Sequence, residues 1–331
     1  MQPSTTSGAC RLEASVAMCT CNGAQFLLEQ LESIARQTQK PDELIVCDDG
    51  STDSTVALIT KFSHTAPFRV RLFRNNERLG PAKNFEKAIG LCQGEIIFLC
   101  DQDDVWLPDK IDRIMNVFEV SPESVYAFSD AQVVDREGEP LQHTLWDALG
   151  MRRSDFDGSK QLERLLVGNV ITGAGLAFRS ALLEIALPIP SGWMHDYWIG
   201  LLGSIISDGI SVPEILYNYR RHSEQVCGWR NAGRAMDFHL SLLRKKEDAW
   251  NKLRTFESLI RRLDQCENRG IALCKGRIEM LTQKQIHLSR RATAISSGIV
   301  KRIPIVLSEA LSGRYHRFSD SFYSIGRDLV G

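Results

Sequence analysis

The chain has 331 residues and a formal net charge of −1, and its apolar and charged fractions, 43% and 24%, are those of an ordinary soluble protein. No apolar run approaches the roughly 18–20 residues that span a bilayer, so no transmembrane helix is expected. Nine cysteines, an odd number partly set in apolar segments, are typical of reduced thiols in the cytoplasm and argue against a disulfide-stabilised secreted domain.

An alternation of apolar runs and amphipathic segments begins at residue 14. Residues 1–13 have neither the basic start nor the apolar core of a signal peptide, and we expect a disordered leader there. The predicted strands are Ser15–Cys19, Leu44–Cys47, Phe68–Phe73, Ile96–Cys100 and Val125–Ser129. The predicted helices are Ala24–Gln37, Val56–Phe62, Asn84–Cys92, Asp109–Phe118 and Gln161–Val167. This alternation predicts an α/β domain over residues 14–232, with a mostly parallel sheet flanked by helices.

Polar residues follow the first three predicted strands. After the second strand, Asp48 and Asp49 precede a glycine. A carboxylate at this place either caps the next helix or accepts a hydrogen bond from a nucleobase N–H or a ribose hydroxyl. Both roles can hold if one aspartate caps the helix and the other binds the ligand. After the third strand, Lys83 stands near a helix start whose N–H groups suit a phosphate or base, with a solvated loop as the alternative. Cys19 ends the first strand and Cys21 follows it. The two cysteines lack the spacing of a structural zinc motif, so free thiols are favoured.

Three carboxylates follow the fourth predicted strand. Asp101, Asp103 and Asp104 come directly after the apolar run Ile96–Cys100, and like charges packed at one strand end need a compensating cation. Their hard oxygen ligands suit Mg²⁺ or Mn²⁺, which protein carboxylates commonly share with substrate phosphates. Because ligands bind at the strand mouths of an open α/β sheet, this stretch predicts a metal-dependent enzyme acting on a diphosphate compound.

The C-terminal part has a different character. From about residue 234 the apolar period becomes purely helical, so residues 233–331 are expected to form a helical appendage in which Gly270 separates the two helices of a hairpin. Residues 234–331 hold 19 Lys and Arg against 10 Asp and Glu, and this basic balance indicates either an anionic partner, such as a membrane leaflet, or a solvated helix face. The segment Ile299–Leu311 predicts a helix lying in an anionic membrane interface; the alternative is a helix packed on the preceding domain. Nucleic acid is not an expected partner.

Taken together, the motifs resemble glycosyltransferase family 2. The matching residues, in order, are Asn22, Asp48–Asp53, Leu79-Gly80 with Asn84, Asp101–Trp106, Ser129-Asp130, Asn169 with Thr172-Gly173, His195–Trp198 and Tyr219–His222. The stretch Asp101–Lys110 resembles the bacterial polysaccharide subgroup whose members are often described as rhamnosyltransferases. The resemblance implies a GT-A fold and inverting transfer of a sugar from a nucleotide-diphosphate donor to a hydroxyl of a glycan or lipid-linked acceptor. It also implies a cytoplasmic protein, peripheral on the inner face of the cell membrane, that builds a cell-surface polysaccharide such as O-antigen.

The resemblance further implies roles for single residues. Asp196 falls where the family keeps its general base, and Asp49 where it reads the nucleobase. The donor-binding residues implied or expected are Asn22, Asp49, Lys83 and Asp103, and the ligands of Mg²⁺ or Mn²⁺ are Asp101, Asp103, Asp104 and His222. Cys21 departs from the family, because that position commonly holds an aromatic that stacks on the base.

Two other interpretations compete with sugar transfer. The stretch Asp101–Val105 after an apolar strand also satisfies the motif of haloacid-dehalogenase-like phosphatases, although their motif normally follows the first strand. A non-catalytic nucleotide-sugar-binding subunit is the other alternative. It is disfavoured because an idle site gains nothing from clustered repulsive charge.

Sugar transfer needs a carboxylate to take the acceptor proton and a cation to stabilise the departing diphosphate, and Asp196 and the acid cluster suit these roles.

Overall fold

The computed structural model describes residues 11–156, 160–223, 225, 238–271 and 273–330, without the side chains of residues 153–154 and 238–246. Most of the leader predicted over residues 1–13 lies outside these ranges, as does the domain boundary predicted at 232–233. Both therefore stay predictions. None of the described helices is long and apolar enough to cross a membrane.

In the described residues, nine strands form one sheet. They are β1 Ala14–Thr20, β2 Glu43–Asp48, β3 Arg69–Arg74, β4 Ile96–Cys100, β5 Val105–Trp106, β6 Tyr126–Val134, β7 Pro140–Thr144, β8 Leu176–Arg179 and β9 Ile210–Arg220. Their order is β3-β2-β1-β4-β8-β6-β9-β5, with β7 paired to β6. Strands β1 to β4 are parallel, whereas β8 is antiparallel to β4 and β6. The predicted α/β architecture with a largely parallel sheet is confirmed.

Helices flank this sheet and form the C-terminal region. They are α1 Leu27–Ala35, α2 Thr55–Ser63, α3 Pro81–Leu91, α4 Lys110–Val120, α5 Leu145–Ala148, α6 Lys160–Val167, α7 Leu183–Ala186 and α8 His195–Ile206. The C-terminal helices are α9 Phe238–Asn268, α10 Lys275–Ser296, α11 Ile299–Leu311, α12 Arg314–Phe318 and α13 Ser321–Val330. The helix predicted at Ile299–Leu311 thus has the predicted bounds.

Both faces of the sheet are buried, because successive residues of each strand point to opposite sides. On one side, Val16 and Met18 of β1 pack with Leu31 of α1. On the other side, Ala17 belongs to a second core with Phe85 of α3 and residues of α8. This two-sided burial explains why β1, β2 and β4 are nearly continuous apolar runs, which made them easy to predict.

The start of α1 differs from the prediction. The helix begins at Leu27 and not at Ala24, because the carbonyl of Gly23 accepts the N–H groups of Phe26 and Leu27 and forms a turn first. The N–H of Ala24 instead donates to Asp53 Oδ2 at 3.1 Å. The residues 22–26 therefore belong to the loop that follows β1.

The start of α3 also differs from the prediction. The helix begins at Pro81 and not at Asn84, since the fixed φ of proline suits the first helical position. Asn84 then lies in the first turn, buried, and its Nδ2 donates to the carbonyl of Cys47 at 2.8 Å. This hydrogen bond attaches α3 to the end of β2.

The C-terminal helices form a bundle with a polar interior. Helices α9 and α10 pair as the predicted hairpin, and α11, α12 and α13 pack on α10. Inside, His287 Nδ1 lies 2.8 Å from Glu309 Oε1, and Glu309 also accepts from Arg314 Nε and Nη2 at 2.7 and 2.6 Å. Asp328 accepts from Arg291 Nε and Nη2 at 2.5 and 2.9 Å. The acids of α11 and α13 are therefore buried and paired with arginines.

Candidate active site

Three loops leave the sheet side by side at the edge where β1, β2 and β4 end. In the register of the sheet, Cys100 pairs with Met18, so β4 ends close to the end of β1. The loops are residues 21–23, 49–51 and 101–104. Because the strand order reverses between β1 and β4, this edge is the topological switch point of the sheet, where a ligand crevice is expected.

The carboxylates after β4 lie close enough to disturb one another. Burial, together with the charges of Asp103 and Asp196, raises the pKa of Asp101 to about 7. Burial and the charges of Asp103 and Asp101 raise the pKa of Asp104 well above its usual range. These carboxylates therefore repel one another when ionised, and a bound cation would offset this repulsion.

Asp104 and Lys110 are buried beneath this cluster. Asp104 is 1% exposed; its Oδ1 accepts a backbone N–H at 3.1 Å, while its Oδ2 has no hydrogen-bond partner. Lys110 lies between the rings of Trp106 and Tyr217, each 4.3 Å from its Nζ, and donates to the carbonyl of Ala174. No role for Lys110 was predicted from the sequence. Its one signal was a lysine in the first turn of an otherwise apolar helix face.

The pairing of β5 with β9 brings distant residues to the acid cluster. Val105 lies opposite Asn218, so Asp103 comes beside the end of β9. His222 Nε2 is 2.8 Å from Asp103 Oδ2, and Arg220 Nε donates to the Asp103 carbonyl at 3.0 Å. The structure thus brings two of the predicted metal ligands, Asp103 and His222, into direct contact.

Asp196 lies in the first turn of α8, across a glycine turn from Asp101. A Cβ built on Gly173 would be 3.1 Å from His195 Nε2, 3.5 Å from Asp101 Oδ2 and 4.0 Å from Asp196 Cβ, so these three side chains border one small space beside Gly173. Burial raises the pKa of Asp196 to about 6, although hydrogen bonds from Tyr197 and Asn169 oppose this. A carboxylate with such a pKa is mostly ionised at neutral pH and can still accept a proton.

Asp49 accepts three hydrogen bonds from the loop between β3 and α3. Its Oδ1 accepts from Asn75 Nδ2 at 2.8 Å and from the Leu79 N–H at 2.7 Å, and its Oδ2 accepts from the Gly80 N–H at 2.9 Å. An ionised carboxylate has about four acceptor sites, so roughly one remains for a ligand. In this structure Asp49 anchors the loop, and its contact with a nucleobase stays a prediction.

Asn22 connects the loops after β1 and β2. Its backbone has a positive φ of 51°, its Oδ1 accepts from the Thr52 N–H at 2.9 Å, and its N–H donates to Ser51 Oγ at 2.8 Å. Asp48 is buried and accepts from the Ser51 N–H at 2.9 Å, which makes it the structural member of the aspartate pair. A donor contact of Asn22 stays a prediction.

Gln102 connects the same loop to the acid cluster, a role that sequence reasoning missed. Its Oε1 accepts from the Cys21 N–H at 2.8 Å and its Nε2 donates to the Cys21 carbonyl at 3.2 Å. A Cβ on Gly23 would lie 2.1 Å from the same Oε1, so a side chain there would displace the Gln102 amide from Cys21. The position of Gln102 between two aspartates was its only signal in the sequence.

Lys83 is bonded within the chain. Its Nζ donates to Glu86 Oε2 at 2.7 Å and to the carbonyl of Ile189 at 2.8 Å. These bonds connect α3 to the segment before α8. A contact between Lys83 and a phosphate or base stays a prediction.

The residues predicted to bind a divalent cation form part of a ligand set, but not a complete one. Within the part of the chain that the structure describes, no three His, Cys, Asp or Glu side chains converge as metal ligands, so Asp101, Asp103, Asp104 and His222 do not form a complete site by themselves. Asp103 and His222 are the pair in contact, and His222 Nδ1 is buried with no hydrogen-bond partner. A carboxylate and an imidazole suit Mg²⁺ or Mn²⁺ when substrate phosphates supply the remaining ligands.

Comparison with known proteins gives a family match over the region that contains the acid cluster. The model of Glycosyl transferase family 2 matches residues 15–185, slightly more than half of the chain. An uncharacterized glycosyltransferase of Nostoc sp. is 29% identical over 192 residues, which cover 55% of this chain and 56% of that protein. The chain therefore spans little more than half the length of this relative.

Two solved structures resemble the whole described chain in fold. TarS of S. aureus in complex with UDP-GlcNAc has a TM-score of 0.53 at 14% identity, with 92% of each chain covered. A mannosyltransferase from Pyrobaculum calidifontis in complex with GDP-Man and Mn²⁺ has a TM-score of 0.50 at 18% identity, with 97% of this chain and 86% of that chain covered. Identities this low show the fold alone, which is the expected GT-A fold.

Proposed function

The chain belongs to glycosyltransferase family 2, and from this premise we propose that it transfers a sugar, with inversion, from a nucleotide-diphosphate donor to an acceptor hydroxyl. One observation carries the proposal: Asp101 and Asp196 border the same space above Gly173. Asp101 belongs to the acid cluster after β4, and Asp196 stands in the first turn of α8. A single displacement needs this arrangement, because the donor and the base that activates the acceptor must meet at one carbon.

Asp196 is the general base of the proposed reaction. As the acceptor oxygen attacks the anomeric carbon, its proton passes to the Asp196 carboxylate, and the bond from that carbon to the donor diphosphate breaks. The buried position of Asp196, which raises its pKa to about 6, makes it a better proton acceptor than an exposed aspartate. The N–H of Tyr197 donates to Asp196 Oδ1 at 2.6 Å and holds the carboxylate in place.

Asp103 and His222 are the residues that would hold a divalent cation. When bound, Mg²⁺ or Mn²⁺ supplies positive charge that stabilises the departing diphosphate. Arg220 keeps the Asp103 backbone in position, since its Nε donates to that carbonyl at 3.0 Å. The Mn²⁺ and GDP-Man in the mannosyltransferase of similar fold support the use of a divalent cation with a nucleotide-sugar donor.

The nucleotide lies, on this proposal, against the loops that Asp49 and Asn22 organise. The similar TarS structure holds UDP-GlcNAc, which supports a nucleotide-sugar donor without naming the base used here. Cys21 stands where an aromatic would stack on the base, so we expect weaker stacking. Hydrogen bonds that Asp49 accepts from the base would then contribute more of the affinity for the nucleotide. Rhamnose from a dTDP donor is the sugar we propose to test first, because of the subgroup that residues 101–110 resemble.

The proposed acceptor is a hydroxyl of a growing glycan or of a lipid-linked sugar, as in the synthesis of a cell-surface polysaccharide. This part of the proposal places the protein in the cytoplasm, at the inner face of the cell membrane. It is supported by the apolar and cationic surface of the C-terminal bundle, which is treated below.

The substitution Asp196→Asn tests the proposed base. We expect turnover to fall by roughly 10²–10⁴-fold, the usual contribution of general base catalysis, while donor binding changes little. Release of nucleoside diphosphate in the presence of acceptor measures turnover, and calorimetry measures donor binding. In the wild-type enzyme, kcat/KM should rise as pH increases through about 6, because only the ionised carboxylate accepts a proton.

Asp112→Asn is the matched control, since Asp112 is exposed on α4. It should leave both turnover and donor binding unchanged. Strong residual transfer by the Asp196→Asn enzyme, with an unchanged pH profile, would contradict the assignment of the base.

A further inference from the structure

Helix α11 exposes an apolar stripe to solvent. Val300, Ile303, Leu307 and Leu311 recur at spacings of three and four residues, so they share one face of the helix. Val300 is 83% exposed and Leu311 is 89% exposed, whereas Val306, which packs with Ala294 of α10, is fully buried. The apolar stripe of α11 is therefore exposed along its length, from 42% at Ile303 to 89% at Leu311.

Helix α13, which packs against α11, also exposes apolar side chains. Phe322 and Tyr323 are 77% and 72% exposed, and Val330 is 65% exposed. Of the fourteen exposed large hydrophobic residues in the described ranges, eight lie within residues 299–330, which make up about a tenth of the chain. A concentration of this kind marks an interaction surface, whereas scattered exposed hydrophobics would not.

The exposed charges on these helices are mostly positive. The acids Glu309 and Asp328 are buried and paired with Arg314 and Arg291, so they contribute little negative charge to the surface. Lys301 and Arg327 are exposed on α11 and α13, whereas Arg317 of α12 is paired with Glu163 of α6. Asp320 is the one exposed acid among residues 298–330. The exposed charged side chains of α11 and α13 are thus cationic.

We propose that α11 and α13 form a docking surface for an anionic lipid bilayer. The apolar stripe enters the boundary between headgroups and acyl chains, and the exposed cations of these helices attract the headgroup phosphates. A second copy of the chain is a poorer occupant, because a two-fold contact would bring the same cationic side chains together. The docking surface rests on and deepens the membrane location in the proposed function, while vesicle binding itself requires no sugar transfer.

The experiment uses the full-length protein and vesicles of two compositions, phosphatidylcholine alone and an equal mixture with phosphatidylglycerol. Flotation should carry the wild-type protein with the anionic vesicles and much less with the neutral ones, and added salt should weaken the binding. The triple variant Val300→Gln, Leu307→Gln, Leu311→Gln should lower the partition coefficient by about 100-fold, since it removes three inserted side chains.

Val120→Gln is the matched control, because Val120 is 75% exposed on α4, away from the bundle. It should bind anionic vesicles as the wild type does. A second variant, Lys301→Gln with Arg327→Gln, should lose binding mainly at low salt, and thermal melting should show that all variants remain folded.

Two results would overturn the proposal. One is equal binding of the triple variant and the wild type to anionic vesicles, or no binding by either. The other is a wild-type dimer by size-exclusion chromatography that the triple variant abolishes, because the surface would then be covered by a second copy. Neither result depends on a nucleotide, so failure of this proposal is distinguishable from failure of the proposed transferase activity.

Discussion

At the scale of single residues, Arg220 shows how the acid cluster is kept in place. Its side chain is buried and extends over the ring of Phe26, with 5.0 Å from the guanidinium carbon to the ring centre. Nε donates to the Asp103 carbonyl at 3.0 Å, and Nη2 lies 2.6 Å from Glu29 Oε2. A planar guanidinium with several donors can make these bonds at once, which lysine could not. Arg220 therefore fixes the loop that carries the proposed metal ligand.

The substitution His222→Gln tests whether the imidazole is a metal ligand. We expect the apparent affinity for Mn²⁺ in the presence of nucleotide to fall by about 10-fold or more, because one ligand is lost and Asp103 loses the ring bonded to it. Titration of Mn²⁺ by calorimetry, with saturating nucleoside diphosphate, measures this affinity. His64→Gln, at the exposed end of α2, is the control and should leave it unchanged. An unchanged affinity in His222→Gln would limit this histidine to a structural contact with Asp103.

At the scale of elements, the three short C-terminal helices depend on buried ionic pairs. Hydrogen bonds from Arg314 and His287 outweigh the effect of burial and lower the pKa of Glu309 from 4.5 to about 2. Because the folded protein binds this proton less readily than the unfolded chain, the pairing stabilises the bundle above pH 4.5. That contribution is lost progressively as pH falls from 4.5 toward 2.

The substitution Glu309→Gln tests this dependence. At neutral pH it should lower the free energy of unfolding by about 3 kcal/mol, and the difference from wild type should shrink as pH falls below 4.5. Urea titrations at pH 7 and pH 3.5 measure the difference. The exposed Glu267→Gln on α9 is the control and should differ from wild type by less than about 0.5 kcal/mol. A pH-independent difference for Glu309→Gln would show that packing, and not the ion pair, is responsible.

Strands β2 and β4, which were predicted from the sequence, differ in burial from β9, which was not. Strands β2 and β4 are buried at every position, and their apolar runs stand out between polar loops. Strand β9 mixes buried and exposed residues, contains Pro213 and shifts register against β6, so no period of two marks it. Strand β5 has two residues, and only its pairing with β9 defines it. Strands β1 to β4 and β6 were therefore predictable, whereas β5, β7, β8 and β9 were not.

At the scale of the whole molecule, one group of contacts in the candidate site could be predicted from the sequence and another could not. The loops after β1, β2 and β4 meet because parallel strands end at one edge, and this could be predicted from the alternation of strands and helices. The contact between Asp103 and His222 depends on the pairing of β5 with β9, which joins residues 119 positions apart. The supporting roles of Arg220, Gln102 and Lys110 were missed as well, because the bonds that a polar side chain makes within the fold leave no distinct pattern in a sequence.

The phosphatase alternative has no support in the assembled molecule. Asp101 follows β4, and the family match to glycosyltransferases over residues 15–185 includes the whole acid cluster. A phosphatase would also leave Asp196 without a role, although it borders the same space as Asp101. Sugar transfer accounts for both carboxylates.

The central claim is that the site binds a nucleotide-sugar donor through a divalent cation, and thermal melting with nucleoside diphosphates tests it most directly. UDP, GDP and dTDP are compared, each with Mn²⁺, Mg²⁺ or EDTA. A ligand at 100 times its Kd stabilises the folded state by about 2.7 kcal/mol, which raises Tm by several degrees. We predict such a rise for one nucleotide, with the metal present and not with EDTA, and its loss in Asp103→Asn. No rise with any nucleotide, with or without metal, would contradict the account.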